Sequence, residues 1–295
     1  MSMHNPFKEK IEEHENDVDY IKRALEGDAA ALEALILRHQ SWIFNIALNM
    51  TGDIHRAEDV TQEILIITIS KLATYDQKKA AFRTWLYRIV ANHVINMKQS
   101  KKEQFFVTHS ENFDFNTYML NLPDNKNPAL MRDKEIIDET KNYCTLCILL
   151  CLNRVERIVL ILGAIFDVTD RMGAEICDIS QANFRKILSR SRKKVSDYFQ
   201  RNCSLFDEHN PCKCSDQVSY LINLGLIKPD DMNIKHNSLG TIRTVVGKAI
   251  TDIENSYSKF LTLYQDQPFF KGPDMVNWLR DLLQRNNINE IFIKN

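Results

Sequence analysis

Apolar side chains recur three and four residues apart through most of this chain, and that interval returns a side chain to the same face of a helix. Only eight Gly and seven Pro are spread over the 295 residues, and few stretches alternate as a half-buried strand would. The expected fold is therefore all-α. A length of this kind suggests about two domains. A hydrophobic fraction of 44% with 26% charged residues excludes fibrous and wholly disordered classes. The first seventeen residues lack an apolar core of signal-peptide length, and no stretch approaches the roughly 18 apolar residues of a membrane span. The expectation is a cytoplasmic protein with no membrane partner, whose seven cysteines are reduced thiols or metal ligands rather than a disulfide framework.

The net charge is only −1, but it is unevenly placed. From Asp53 to Lys71, Ala57, Val60, Ile64, Ile67 and Lys71 form one helical stripe, which leaves Glu58, Asp59, Gln62 and Glu63 together as an acidic docking face. Between Lys78 and Lys102 there are seven Lys or Arg and no Asp or Glu. Phe82, Trp85, Leu86, Ile89, Val90, His93, Val94 and Met97 recur there at helical spacing, with Phe82 and Leu86 assigned to the core. Lys78, Lys79, Arg83 and Arg88 would attract phosphates.

Residues up to about Asp17 read as polar and outside the fold, with structure beginning near Val18. Leu32, Leu35, Ile36, His39, Ile43, Ile46, Ala47 and Met50 predict a core-facing helix in which His39 is a packed side chain without a role. The pattern weakens after Lys102, which reads as a linker, and returns near Ala129. Asn153 and Glu156 have the form of a reciprocal helix cap. Residues Asp167 to Phe199 read as a helix-turn-helix, with Ala174 and Ile176 in the first helix, a turn at Asp178-Ile179 and Ser180 capping the second. That second helix would turn Gln181, Asn183, Arg185, Lys186, Arg190 and Arg192 outward, and seven basic residues oppose only Asp197 between Gln181 and Arg201. Polar residues at its amino end and cations behind them suit base edges in a major groove and the flanking phosphates.

Cys203, Cys212 and Cys214 follow this helix, and Cys144, Cys147 and Cys151 precede the motif. Three thiolates and one recruited from the second group would hold a structural zinc ion, while small buried apolar residues explain the same spacing. In the tail, Leu239, Ile242, Val246, Ile250, Ile253, Tyr257, Phe260 and Tyr264 predict one long amphipathic helix, and Pro273 opens another bearing Met275, Trp278, Leu279 and Leu282. Two readings of this hairpin stand open: packing on the second domain, or an inhibitory or sensing module.

The run AEDVTQE followed by FRTWLYRIVANHVIN resembles region two of the extracytoplasmic-function sigma factors of bacterial RNA polymerase. CLNRVERIVLILGAIFDV and NFRKILSRSRKKV are similar to region four of the same family, and the two resemblances occur in order. Asn96 and Gln99 depart from the Asp and Arg common in that family. The resemblance implies that Glu58, Asp59, Gln62 and Glu63 dock on core polymerase, and that Tyr75 to Arg83, Trp85 and Asn92 open and capture the downstream promoter element. The helix after Ser180 would read the upstream element. It further implies a non-enzymatic initiation factor that requires no cofactor, with promoter DNA, core polymerase and an anti-sigma factor as partners. The expected organisation is a region-two domain over 18–102, a linker over 103–140, a region-four domain over 141–201 and a Cys-containing helical extension over 202–295. A stand-alone helix-turn-helix regulator that does not join polymerase is the alternative. A zinc enzyme built on the cysteines is a further rival, but it lacks the His-x-Glu companion of a deaminase site.

Overall fold

The computed structural model describes residues 5–8, 11–101, 103–104, 127–223, 225, 227–230, 238–247 and 256–285. Its centre is a helix buried on nearly every side, α2 (Ala29–Thr51), on which α1 (Ile11–Leu25), α3 (Ile54–Lys71) and α4 (Phe82–Asn96) pack. Asp28 starts α2 by accepting from the Ala30 and Ala31 amides at 3.0 and 3.1 Å, and Asp53 starts α3 by accepting from Arg56 N at 2.8 Å. All eight residues of the predicted α2 stripe are buried, and so are Trp42, Phe44, Asn45, Leu48 and Asn49 on its other sides. A helix apolar all round needs neighbours all round, and distant parts of the chain supply them.

The second half consists of α5 (Lys134–Leu149), α6 (Arg154–Leu160, continued by a π turn through Ile165), α7 (Asp170–Cys177) and α8 (Gln181–Asn202). The predicted reciprocal cap is present: Asn153 Oδ1 accepts from Glu156 N at 2.9 Å, and Glu156 Oε2 accepts from Asn153 N at 3.2 Å. Then come α9 (Cys214–Asn223), β1 (Ser238–Thr241), α10 (Ile242–Val246), α11 (Ser256–Gln265), β2 (Pro268–Phe270) and α12 (Met275–Arg285). β1 and β2 pair antiparallel, with Thr241 opposite Pro268. No described helix is long and apolar enough to cross a membrane. The all-α expectation holds apart from this small ribbon.

Four expectations are corrected. The amino-terminal segment is part of the fold: Phe7 is buried between Trp42 and Tyr87, with ring centroids at 5.2 and 4.7 Å, and a helix begins at Ile11. Asp17 is fully buried because it pairs with Arg38 at 2.9 Å and His39 at 3.3 Å, so the packed His39 also ties α1 to α2. The core stripe of α3 runs through Ala57, Val60, Thr61, Ile64, Leu65, Thr68 and Ile69, leaving Ile67 half-buried and Lys71 exposed. In the region read as linker, α5 already starts at Lys134, where Asp133 caps it, and residues 105–126 lie outside the described ones. The single long tail helix is instead a strand, a short helix and α11, because Gly247 at φ 69° ends α10 in a left-handed conformation. Ile250 and Ile253 lie outside the described residues.

Candidate nucleic-acid interface

The acidic residues of α3 lie on the side away from α2. Asp59 and Glu63 are exposed, and Glu58 and Gln62 are half-buried. Glu63 is not wholly directed outward, since its Oε2 lies 2.9 Å from His93 Nε2 of α4. Asp59 is thus the more available carboxylate for a basic partner surface.

In the turn before α4, Lys78 and Lys79 are exposed, and the Asp76 carboxylate shapes that turn by accepting from Lys78 N at 2.9 Å. Tyr75, Phe82 and Trp85 form an aromatic wedge with all three centroid separations between 5.4 and 5.6 Å, and Phe82 stacks on Trp85 at 27°. Phe82 and Leu86 are buried, as expected of core residues, while Trp85 is half-buried. Asn92 is exposed. Two of the cations expected to meet phosphates are engaged elsewhere: Arg83 donates to the Pro6 carbonyl at 3.4 Å, and Arg88 donates to the Glu175 carbonyl from Nε at 3.2 Å and Nη2 at 2.8 Å.

The helix-turn-helix is built as its sequence indicates. Thr169 caps α7, Asp178 turns the chain at φ 54°, and Ser180 caps α8 by accepting from Asn183 N at 3.2 Å. Phe184, Leu188, Ser191, Val195 and Phe199 are buried. Gln181, Asn183, Arg185, Lys186 and Arg190 are exposed, and the partial positive charge of the capped α8 terminus adds to theirs. Arg185 lies 3.7 Å from Asp170, whereas Arg192 is half-buried and donates to the Gly163 carbonyl at 3.2 Å, which holds α8 onto the π turn. Arg192 is accordingly a positioning residue. A cleft of about 470 Å³ separates Arg88 of α4 from Ser180 and Gln181 at the start of α8.

This arrangement makes phosphate attraction and base reading separable. Replacing Arg185 and Lys186 by Ala is expected to weaken duplex binding across sequences and to reduce the salt slope by about 1 for each phosphate that is no longer neutralised. Asn183→Ala should instead relax base preference at one position, by about 1–3 kcal/mol. Titrations of a duplex panel at several salt concentrations would read both, and unchanged affinity and selectivity would remove α8 from the interface.

The two cysteine groups do meet. The chain folds back after α8 so that Cys203 and Cys212 share a backbone bridge, with Ser204 N donating to the Cys212 carbonyl at 3.0 Å. Burial pushes the Cys212 thiol up to about 12 and Cys214 up to about 11, with Cys203 adding to both shifts. Burial also raises Cys144, with Cys212, Cys214 and Cys203 among its neighbours. Even so, among the described residues no group of three or more His, Cys, Asp or Glu is arranged to hold a metal ion. Desolvation in this largely buried seam is the main cause of each shift.

A polar centre that the residue pattern did not single out lies between the halves. Glu103, buried, receives Arg154 on both oxygens at 2.9 and 2.8 Å and Arg157 at 3.1 Å. Burial pushes the Glu103 carboxyl up, but the two guanidinium groups outweigh it and hold it below its ordinary value. Arg154 also donates to the Ile95 and Met97 carbonyls, clamping the end of α4. A charged residue inside the apolar run RVERIVLIL was the signal available in the sequence.

Residues 35–104 match sigma-70 region 2. An 87-residue stretch, 30% of this chain, is 31% identical to the ECF RNA polymerase sigma factor SigW of Bacillus subtilis and covers 46% of it. A stretch of 82 residues, 28% of this chain, is 34% identical to the RNA polymerase sigma-H factor of Pseudomonas aeruginosa and covers 42% of that protein. These matches thus span less than half of either relative. A longer one, 165 residues and 54% of this chain, is 24% identical to the ECF RNA polymerase sigma factor SigM of Bacillus subtilis and covers 89% of it.

Proposed function

We propose that the chain is a sigma factor of the extracytoplasmic-function group, to which its region-2 match and similar proteins point, and that it binds core RNA polymerase and directs initiation at a specific set of promoters. The observation that carries this reading is an order along one chain. An acidic-faced helix and an aromatic-basic helix lie within the region-2 match, and a capped helix-turn-helix with an exposed basic reading edge follows. Residues 18–102 would dock on polymerase and meet the downstream element, residues 141–201 would read the upstream element, and 202–295 would be an extension beyond a linker. Lys78, Lys79, Trp85 and Asn92 are the free end of the first DNA surface. Opening a duplex needs phosphate attraction and a surface that replaces lost stacking, and the exposed Lys78 and Lys79 with the half-exposed Trp85 of the following helix would supply both. The factor would make or break no bond itself and would need no cofactor, and an anti-sigma factor belongs to the same reading as a partner in trans.

In-vitro transcription with core polymerase and a pool of random promoters tests it. Enrichment of a two-part promoter is the expected result. A protein that retains duplexes but never accompanies core polymerase would instead be a stand-alone regulator. Reversing charge with Asp59→Arg and Glu63→Arg should weaken core binding about tenfold or more at low salt, with folding unchanged because both positions are exposed. Co-purification of the double variant with core polymerase at high salt would overturn the docking assignment.

A further inference from the structure

The carboxy-terminal segment is fastened to both halves of the chain at once. On the α2 side, Asn45 Nδ2 donates to the Phe270 carbonyl at 2.8 Å, and Phe270 N donates to Asn45 Oδ1 at 3.0 Å. A buried side-chain amide thus completes the backbone of β2 as an adjacent strand would. Arg280 of α12 holds both oxygens of Glu33 at 3.1 and 2.8 Å. Phe269 lies 4.9 Å from Trp42 of α2 and 6.3 Å from Phe166 at the end of α6, so one ring joins the two halves. On the other side, Tyr264 of α11 donates its hydroxyl to the Thr145 carbonyl at 2.8 Å.

The halves fastened in this way also touch directly, and they touch on a DNA-directed surface. Helix α4 packs along α7, and the Arg88 guanidinium is taken up by the Glu175 carbonyl. A guanidinium edge that donates twice to one carbonyl is not offered to a phosphate. The first helix of the reading motif lies against the helix that would enter the opened duplex, with only the 470 Å³ cleft between Arg88 and the α8 start. Both basic surfaces are thereby fixed at one spacing.

We propose that residues 256–285 form an intramolecular strap that holds the chain closed, with Arg88 withdrawn from DNA, and that polymerase and promoter bind the form in which the strap has left α2. The inference rests on the sigma-factor reading above. Ligands that prefer the open form must work against the strap, so weakening it raises their apparent affinity by the gain in open population.

Full-length Phe269→Ala, Glu33→Arg and the swap Glu33→Arg with Arg280→Glu test the proposal. Two readouts are needed: anisotropy titration with core polymerase and labelled duplex, and amide hydrogen exchange in α4 and α7. Phe269→Ala should bind about tenfold more tightly than the parent, Glu33→Arg about threefold, and the swap should return to the parent value. Exchange in α4 and α7 should quicken in the same order. Glu33→Arg is a surface change, so the series keeps a folded member even if Phe269→Ala does not fold. Equal binding by all forms would overturn the strap while leaving the sigma-factor reading intact, and so would quickened exchange with weaker binding. If no form bound core polymerase while exchange still quickened in the stated order, the sigma-factor reading would fail, and with it the inhibitory role of the strap.

Discussion

Arg157→Met is expected to destabilise the protein by about 3–5 kcal/mol, the range for removing one partner of a buried charge pair. Arg157 is fully buried and donates to the Leu149, Leu150 and Leu152 carbonyls at 3.0, 3.3 and 2.9 Å, to Met50 O and to Glu103. Those carbonyls close α5, and Met50 lies in the last turn of α2, so one cation satisfies the orphan acceptors of two helix ends. Methionine fills similar volume and donates nothing. Because Glu103 is held below its ordinary value of 4.5, its contribution is present above that pH and fades as the pH falls through the lowered value. The part of the difference that comes from Glu103 should therefore fade in acid, while the part from the four carbonyls stays. Urea unfolding at neutral and acid pH would measure both, and a neutral-pH loss below about 1 kcal/mol would show that water replaces the guanidinium.

Gly173→Ala is expected to cost about 2 kcal/mol, although Ala is the better helix former by about 1 kcal/mol. A Cβ at Gly173 would stand 2.3 and 2.5 Å from ring carbons of Phe184, which is fully buried in the helix-turn-helix. The ring cannot retreat toward the π turn, because Gly163 is there under the same constraint: its own Cβ would meet Leu188 at 2.8 Å and Phe184 at 3.1 Å. α7 must therefore lift from α8, which tilts the reading edge. Duplex affinity should fall by about tenfold or more. Gly173→Ala combined with Phe184→Leu should recover much of both. A thermal melt and a duplex titration of the single and double variants would decide it, and a single variant as stable as the parent would mean that the two helices relax at no cost.

The local parts of this fold were legible because local chemistry determines them. Ser180, Asn153 with Glu156, and Asp53 cap where their residue types say they should, and Phe184 and Leu188 fall inward at helical spacing. What escaped depends on partners far along the chain. Trp42 and Asn45 look like the outer sides of a helix with a single core stripe until β2 is laid over them. Asp17 reads as a surface acid until Arg38 and His39 are brought to it. Lys78, Lys79, Asn92 and Gln181 stand exposed as charge and polarity suggested, whereas Arg83, Arg88 and Arg192 were equally basic in sequence and are bonded to carbonyls. Composition reports a cation; only the fold reports whether its edge is occupied. The meeting of the two cysteine groups was likewise legible from their placement on either side of the helix-turn-helix.

The reciprocal pair between Asn45 and Phe270 joins residues 225 positions apart. Chains are made from the amino end at roughly 5–20 residues per second, so α2 is synthesised about 10–45 s before the segment that covers it. For that interval Trp42 and Asn45 have no tail to cover them. The nascent chain passes through its uncovered form before it can reach the covered one, and a segment made late seals a helix made early.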